Sequence, residues 1–326
     1  MKKFNVTGLC VPKKHYMVDI SGKIAQIRKL VDDELYFTIN RARQYGKTTV
    51  LNQLKKNLLQ DSDYICASLS FELMTTTAFD SESNFCDMFL RKLSEALELS
   101  NGCEEYSADW YNTEVTSLSA LSRHITKMCK NKKLVLMIDE VDKSTNNRLF
   151  LHFLGMLRAK FLSRQADEDY TFHSVILAGV TDIKNLKLKM INDGIHLPTA
   201  EEGRIYNSPW NIAASFDVDM SFNIEEISTM LLDYEADYKT GMDISAIAGE
   251  IYEYTSDYPF IVCDYFVTKD EKAQGLMLPA GIGLYHEIAY QGTFNMELCL
   301  KKIAEYYKEI FAERNISFLE AHGEIV

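Results

Sequence analysis

The sequence predicts an α/β protein: a parallel sheet with helices on both faces, followed by a small α-helical region. Three observations predict it. Short, near-continuous apolar runs alternate with longer stretches of helical periodicity, the pattern of strands buried on both sides. Only 5 prolines and 15 glycines punctuate 326 residues, so long elements with short connections are expected. Beyond residue 222 the strand-like runs stop and helical periodicity continues alone.

The elements follow in order. Residues 35–40 (LYFTIN) read as a buried strand. It runs through RARQYGKTT into a helix over 48–59, whose apolar positions 50, 51, 54, 58 and 59 mark one face. YICASLSF at 64–71 is a second strand, and 82–99 and 114–130 have helical spacing. KLVLMIDE, from 133, is a third strand, and 148–162 (RLFLHFLGMLRAKFL) is a strongly apolar helix. SVILAGV at 174–180 is a fourth strand, and FDVDMSF at 216–222 alternates as a fifth. Helices over 224–238, 243–255 and the tail then point to a domain change near 222, dividing the chain into 1–222 and 223–326.

Composition bounds the function. An apolar fraction of 47% and a charged fraction of 25% are average for folded soluble domains, which excludes disorder and fibrous repeats. Lys plus Arg number 35 against 47 for Asp plus Glu, a net charge of −12, so direct nucleic-acid binding is not expected. No apolar run approaches the roughly 18 residues of a membrane helix, and the first 16 residues carry positive charge with no apolar segment behind it. The 7 cysteines include no Cys-x-x-Cys pair, and the 7 histidines have no metal-like spacing. A reduced, cytoplasmic protein is the expectation.

The strongest chemical signal is RARQYGKTT at 41–49, placed between a strand and a helix. Phosphates bind where backbone N–H groups converge at the positive end of a helix. Gly46 permits close backbone approach, Lys47 supplies a charge for the β- and γ-phosphates, and Thr48 offers a hydroxyl to Mg²⁺. The usual phosphate loop carries a second glycine where this chain has Arg41. The second signal is LVLMIDE at 134–140, which puts Asp139 and Glu140 at the C-terminal edge of the sheet. There Asp139 can hold Mg²⁺ through water, and Glu140 can orient or deprotonate an attacking water. A strand between the two signals, together with the glutamate after the aspartate, favours the ATPase branch of P-loop proteins. Thr181 and Asp182 end the fourth strand, where they either sense the γ-phosphate or cap the strand.

These residues carry a resemblance. The strings MVDISGKI, YFTINRARQYGKTT, LVLMIDEVDKSTNN, SVILAGVTDIKNLK and NSPWNIAASFDVDMSF closely resemble the bacterial AAA-ATPase-like family, whose members often carry a C-terminal PD-(D/E)xK nuclease-like domain. The resemblance runs from about residue 1 to 262, and an arginine at the place of Arg41 is typical of that family. It implies ATP and Mg²⁺ as ligands, with Gly46, Lys47, Thr48 and Thr49 at the nucleotide; Arg43, Gln44 and Tyr45 of the same loop are expected beside them. Thr48 and Asp139 are implied at the metal, Glu140 and Lys47 in catalysis, and Tyr16 to Asp19 near the adenine. The family's Tyr-Thr-Ser-Gly-Tyr-Pro-Phe stretch reads YTSDYPF here, with Asp257 in the glycine's place and Pro259 kept. Part of the lid and the nuclease-like domain are expected to be missing. The alternative to a slow ATPase switch is a non-hydrolysing, degenerate nucleotide-binding module, a truncated relative of a nuclease-linked ATPase.

Several residues stay open at this level. Arg41, Arg43 and Arg204 either stabilise transition-state charge or pair structurally. Trp210 is expected in the core or at a subdomain contact, and Tyr45 either shields phosphates or packs on the next helix. Asp270-Glu271-Lys272 is a chance triplet rather than a nuclease site. The nine carboxylates and one lysine of 225–257 are a solvated helical face or a docking surface for a basic partner. Tyr306, Tyr307 and Phe311 fit an amphipathic tail helix that packs on a protein partner or on a missing domain.

Overall fold

Strands β1 (Tyr36–Asn40), β2 (Tyr64–Ser70), β3 (Lys133–Asp139) and β4 (Ser174–Gly179) form a parallel sheet in the order β1-β4-β3-β2. The computed structural model describes residues 2–5, 8–42, 45–98, 100, 114–144, 147–180, 183, 210–255 and 259. The helices are α1 (Ser21–Asp32), α2 (Lys47–Leu58), α3 (Glu82–Glu98), α4 (Leu118–Cys129), α5 (Arg148–Gln165), α6 (Ile224–Tyr238) and α7 (Ile244–Thr255). The chain divides into two units, one of Ile24–Arg41 and Val50–Val218, the other of Met1–Lys23, Ala42–Thr49 and Asp219–Val326.

The first unit holds the sheet. β4 is buried at every residue and β3 at all but its first, so successive side chains pointing to opposite faces both meet protein. Leu134, Leu136, Ile138, Val175 and Leu177 join one core with α3, α4 and α5, where Phe71, Phe85, Phe89, Phe150 and Phe153 pack ring to ring. The alternate set, Phe37, Ile39, Cys66, Val135, Met137 and Ile176, is buried too, as are Ile27 and Val31 of α1 and Leu54 and Leu58 of α2. Each such large apolar side chain contributes about 1.5–3 kcal/mol relative to exposure. Trp210 is fully buried in this unit, stacks on Tyr36 and donates from Nε1 to Thr38 Oγ1 at 3.0 Å. Far from the strands' C-terminal edge, the buried Lys160 of α5 pairs with Asp169, just past that helix, and both hydrogen-bond the Thr126 hydroxyl of α4, which joins the two helices.

Three differences from the sequence expectation have physical causes. FDVDMSF is not a strand: Val218 and Met220 are buried and the aspartates exposed, yet the ladder beside β1 is one bridge, Phe37↔Ala214. Alternation records one-sided burial, which an extended segment can satisfy without a strand partner. The helix expected from 114 starts at Leu118, because Ser117 caps it by accepting the Ala120 N–H. Helix α1, with its hydrophobic residues spaced around a charged sequence, was not foreseen.

The second unit joins the N-terminal segment to α6. Asn223 and Glu226 form a reciprocal capping box at the start of α6. At its end Lys239 turns left-handed, and the Glu235 carboxylate accepts from the N–H groups of Thr240 and Gly241. Four contacts run from the N-terminal segment to this helix: Lys2 to Asp233, Tyr16 Oη to Asp237 at 2.7 Å, Asp19 N–H to Thr229 Oγ1 at 2.8 Å, and Lys23 to Glu226. Phe4, Tyr16 and Tyr234 pack as an aromatic cluster, and Tyr238 stacks on Tyr234. Burial and the Asp237 hydrogen bond push the Tyr16 hydroxyl's pKa upward. Part of the acidic run is therefore an intramolecular surface that docks the chain's own N-terminal lysines.

Candidate functional site

The phosphate-loop sequence lies where β1 gives way to α2. Gly46 has φ +72°, and a Cβ there would meet nothing within 4 Å, so the backbone conformation rather than space calls for glycine. Lys47 opens α2, is 7% exposed and donates from Nζ to the Ala42 carbonyl at 2.9 Å, closing the loop upon itself. Helix dipoles disfavour a cation at the first turn by roughly 0.3–1 kcal/mol. The first turn of α2 holds no acidic residue, while Lys55 and Lys56 suit its last turn. Lys47 thus breaks a local rule at one point, and its helix start is kept positive, as an anion site requires. Thr48 is exposed, Tyr45 and Gly46 are half-buried, and Thr49 Oγ1 accepts the Cys10 N–H at 3.3 Å. Arg43 and Gln44 lie outside the described residues.

The sheet supplies the acidic residues. All four strands are parallel, so Asn40, Ser70, Asp139 and Gly179 end at one edge. β4 separates β1 from β3, which places their axes about 10 Å apart at ordinary strand spacing. The strand that intervenes in sequence, β2, takes the far edge instead. Asp139 is 7% exposed, and its Oδ1 accepts the Glu140 N–H at 2.9 Å. Glu140 itself has φ +54°. Among the described residues, the other non-glycine positive-φ positions, Glu34, Asn131, Asp167 and Lys239, all follow helix ends, where that conformation is routine. Glu140 follows a strand, and it holds a backbone strain of about 1–2 kcal/mol. Strain of that kind collects at functional sites.

Two residues brace this edge. Arg41 donates its N–H to Gly179 O at 3.2 Å, Nη1 to Asn40 O at 2.9 Å and Nη2 to Val218 O at 3.2 Å, with its guanidinium 5.6 Å from the Phe216 ring centroid. The loop's unusual arginine is therefore a structural clamp on the sheet. Asp142, in the turn after Glu140, accepts the Val180 N–H at 2.6 Å. Gly179 packs so tightly that a Cβ would lie 2.8 Å from Asp142 Oδ2 and from Val141 Cγ2. Neither brace was legible as such: Asp142 reads only as another acid after a strand, and its partner is a backbone amide far along the chain. Thr181, Asp182, Arg204, Asp257, Asp270, Glu271, Lys272, Tyr306, Tyr307 and Phe311 lie outside the described residues.

The profile of the AAA-like domain matches residues 15–251, most of the chain, from before α1 into α7. The chain belongs to the AAA-like domain family. Among solved structures, this AAA-like domain is similar to a Walker-type ATPase of Pyrococcus abyssi, at 12% identity over 95% of this chain and 77% of that one, with a TM-score of 0.50. Looser matches are Cdc6p from Pyrobaculum aerophilum (13% identity, 93% and 84% covered, TM-score 0.43) and the ORC2 protein of Aeropyrum pernix (12%, 87% and 67%, 0.41). At these identities the likeness is one of fold. No curated protein matches the chain. No described helix of the AAA-like domain is long and apolar enough to cross a membrane.

Proposed function

We propose that this AAA-like domain binds ATP with Mg²⁺ and hydrolyses it slowly, as a conformational switch. Residues 1–222 form the nucleotide-binding domain and 223–326 a helical lid and linker. The observation that carries the reading is the sheet: the strand that feeds Gly46, Lys47 and Thr48 and the strand that ends in Asp139 and Glu140 are parallel, with β4 between them. Ligands of open α/β sheets sit outside such an edge.

The residues suit the roles. Lys47 brings an ammonium to the β- and γ-phosphates, and Arg43, Gln44, Tyr45 and Gly46 precede it as the proposed phosphate-binding loop. A Thr48 hydroxyl and an Asp139 carboxylate are hard oxygen donors, few in number, as Mg²⁺ prefers when it keeps waters and phosphate oxygens. Among the described residues no group of three or more His, Cys, Asp or Glu forms a protein metal cage, and this chemistry does not ask for one. Mg²⁺, when bound, offsets charge on the phosphates. Glu140 accepts a proton from the attacking water, and its left-handed backbone, held by Asp139 Oδ1, fixes where the carboxylate starts from. Thr49 ties the loop to the N-terminal segment through Cys10, and that segment docks on α6. A protein partner would read the helical C-terminal region.

Glu140→Gln tests the reaction. The variant is expected to keep ATP affinity within about twofold and to lower phosphate release by at least about a hundredfold, the scale of a lost general base. Unchanged release refutes the role of Glu140. Stoichiometric binding by the wild type with no release at all identifies the non-hydrolysing module instead.

A further inference from the structure

The chain leaves the sheet unit at Arg41, toward the phosphate loop, and again at Val218, toward α6. One side chain spans both exits. Arg41 holds the carbonyl of its own neighbour Asn40 and that of Val218, 177 residues later, and lies against Phe216. Its backbone N–H extends the β1–β4 ladder by one bond, to Gly179 O. The next residue, Val180, gives its N–H to Asp142, in the turn that follows Glu140. Gly179 meanwhile leaves no room between β4 and that turn, since an added Cβ would overlap both Val141 and Asp142. The result is a continuous belt of hydrogen bonds and close packing from Val218 through Arg41, Gly179, Val180 and Asp142 to Val141 and the strained Glu140.

We infer that Arg41 and Asp142 are positioning residues that lock the ends of β1, β4 and β3 to the exit at Val218, so that displacement of the Glu140 turn is transmitted along the belt. Close packing supports transmission, because a dense edge with no slack shifts as a body rather than absorbing strain locally. The geometry is also specific to the side chains. A lysine at 41 has no planar fork to bridge two carbonyls. An asparagine at 142 keeps an acceptor for the Val180 N–H, whereas an alanine does not.

The consequence for turnover rests on the ATPase reading, and the belt itself does not. Amide hydrogen exchange on the full chain without nucleotide therefore comes first. Arg41→Lys is expected to speed exchange of the Val180 amide, and Asp142→Ala that of the Arg41 amide, each by about tenfold, the size of one lost hydrogen bond. Asp142→Asn is expected to restore wild-type exchange at Arg41. Effects confined to each mutated residue's own bonds, with the other amide unchanged, overturn the belt. With ATP, Arg41→Lys and Asp142→Ala are expected to lower kcat about tenfold while the ATP Kd stays within about threefold, and Asp142→Asn to recover kcat. A loss of ATP affinity as large as the loss of kcat, or no fall in kcat, overturns the positioning role. Absence of ATP binding by the wild type overturns the ATPase reading alone, leaving the exchange result to decide the belt.

Discussion

Gly179→Ala is the sharpest test of how the sheet edge is built. Its backbone does not require glycine through a positive φ; its space does. The added methyl would sit 2.8 Å from Asp142 Oδ2 and from Val141 Cγ2, about 0.6 Å inside ordinary contact. Neither neighbour yields easily. Val141 is fully buried, and Asp142 is held by the Val180 N–H at 2.6 Å, so moving its carboxylate breaks that bond. Overpacking of this kind costs about 1–3 kcal/mol. A loss of about 2 kcal/mol corresponds to a fall of roughly 4–8 °C in melting temperature for a unit of this size. Gly155, inside α5, is the internal control: a Cβ there meets nothing within 4 Å, so Gly155→Ala should raise stability by about 0.5–1 kcal/mol. Urea titration and calorimetric melting of both variants read the two signs. Gly179→Ala at or above wild-type stability refutes the close packing of β4 on the turn that carries Glu140 and Asp142.

Further expectations concern other parts of the molecule. Tyr16→Phe removes the hydrogen bond to Asp237 and should cost about 1 kcal/mol, seen as faster amide exchange in α6; unchanged exchange there contradicts docking of the N-terminal segment on that helix. His173 is held below its usual pKa by burial, with Glu34 opposing and Arg164 and Lys133 assisting, so the native state keeps it neutral. The unfolded chain takes up that proton first, so this group's contribution falls as pH drops below 6.5 toward its folded pKa, by up to roughly 1.4 kcal/mol per pH unit. His173→Asn should flatten that part of the stability profile, and a profile parallel to wild type between pH 7.5 and 5 refutes the assignment.

The strands were legible because burial on both faces leaves uninterrupted apolar runs, as in LVLMI before Asp139. Their order in the sheet was not, since nothing in the string SVILAGV says that it inserts between β1 and β3. The strand-to-helix turn was legible from Gly46, Lys47 and Thr48, and Gly46 there has φ +72°. The role of Arg41 was not, because its partners Val218 and Phe216 are brought to it only by the fold. Long-range pairing also accounts for part of the acidic run. Glu226, Asp233 and Asp237 face Lys23, Lys2 and Tyr16 across 203, 231 and 221 residues of sequence, a separation that charge patterning cannot see. FDVDMSF shows the opposite error: its alternation is real, but it reports burial and not a ladder.

Titration calorimetry of ATP with Mg²⁺ into wild type and Lys47→Ala tests nucleotide binding most directly. The wild type should bind one ATP per chain, and the variant should bind at least about tenfold more weakly, the loss of one charge-assisted contact to phosphate. Equal affinity of the two proteins, or no binding by the wild type, contradicts the proposed site.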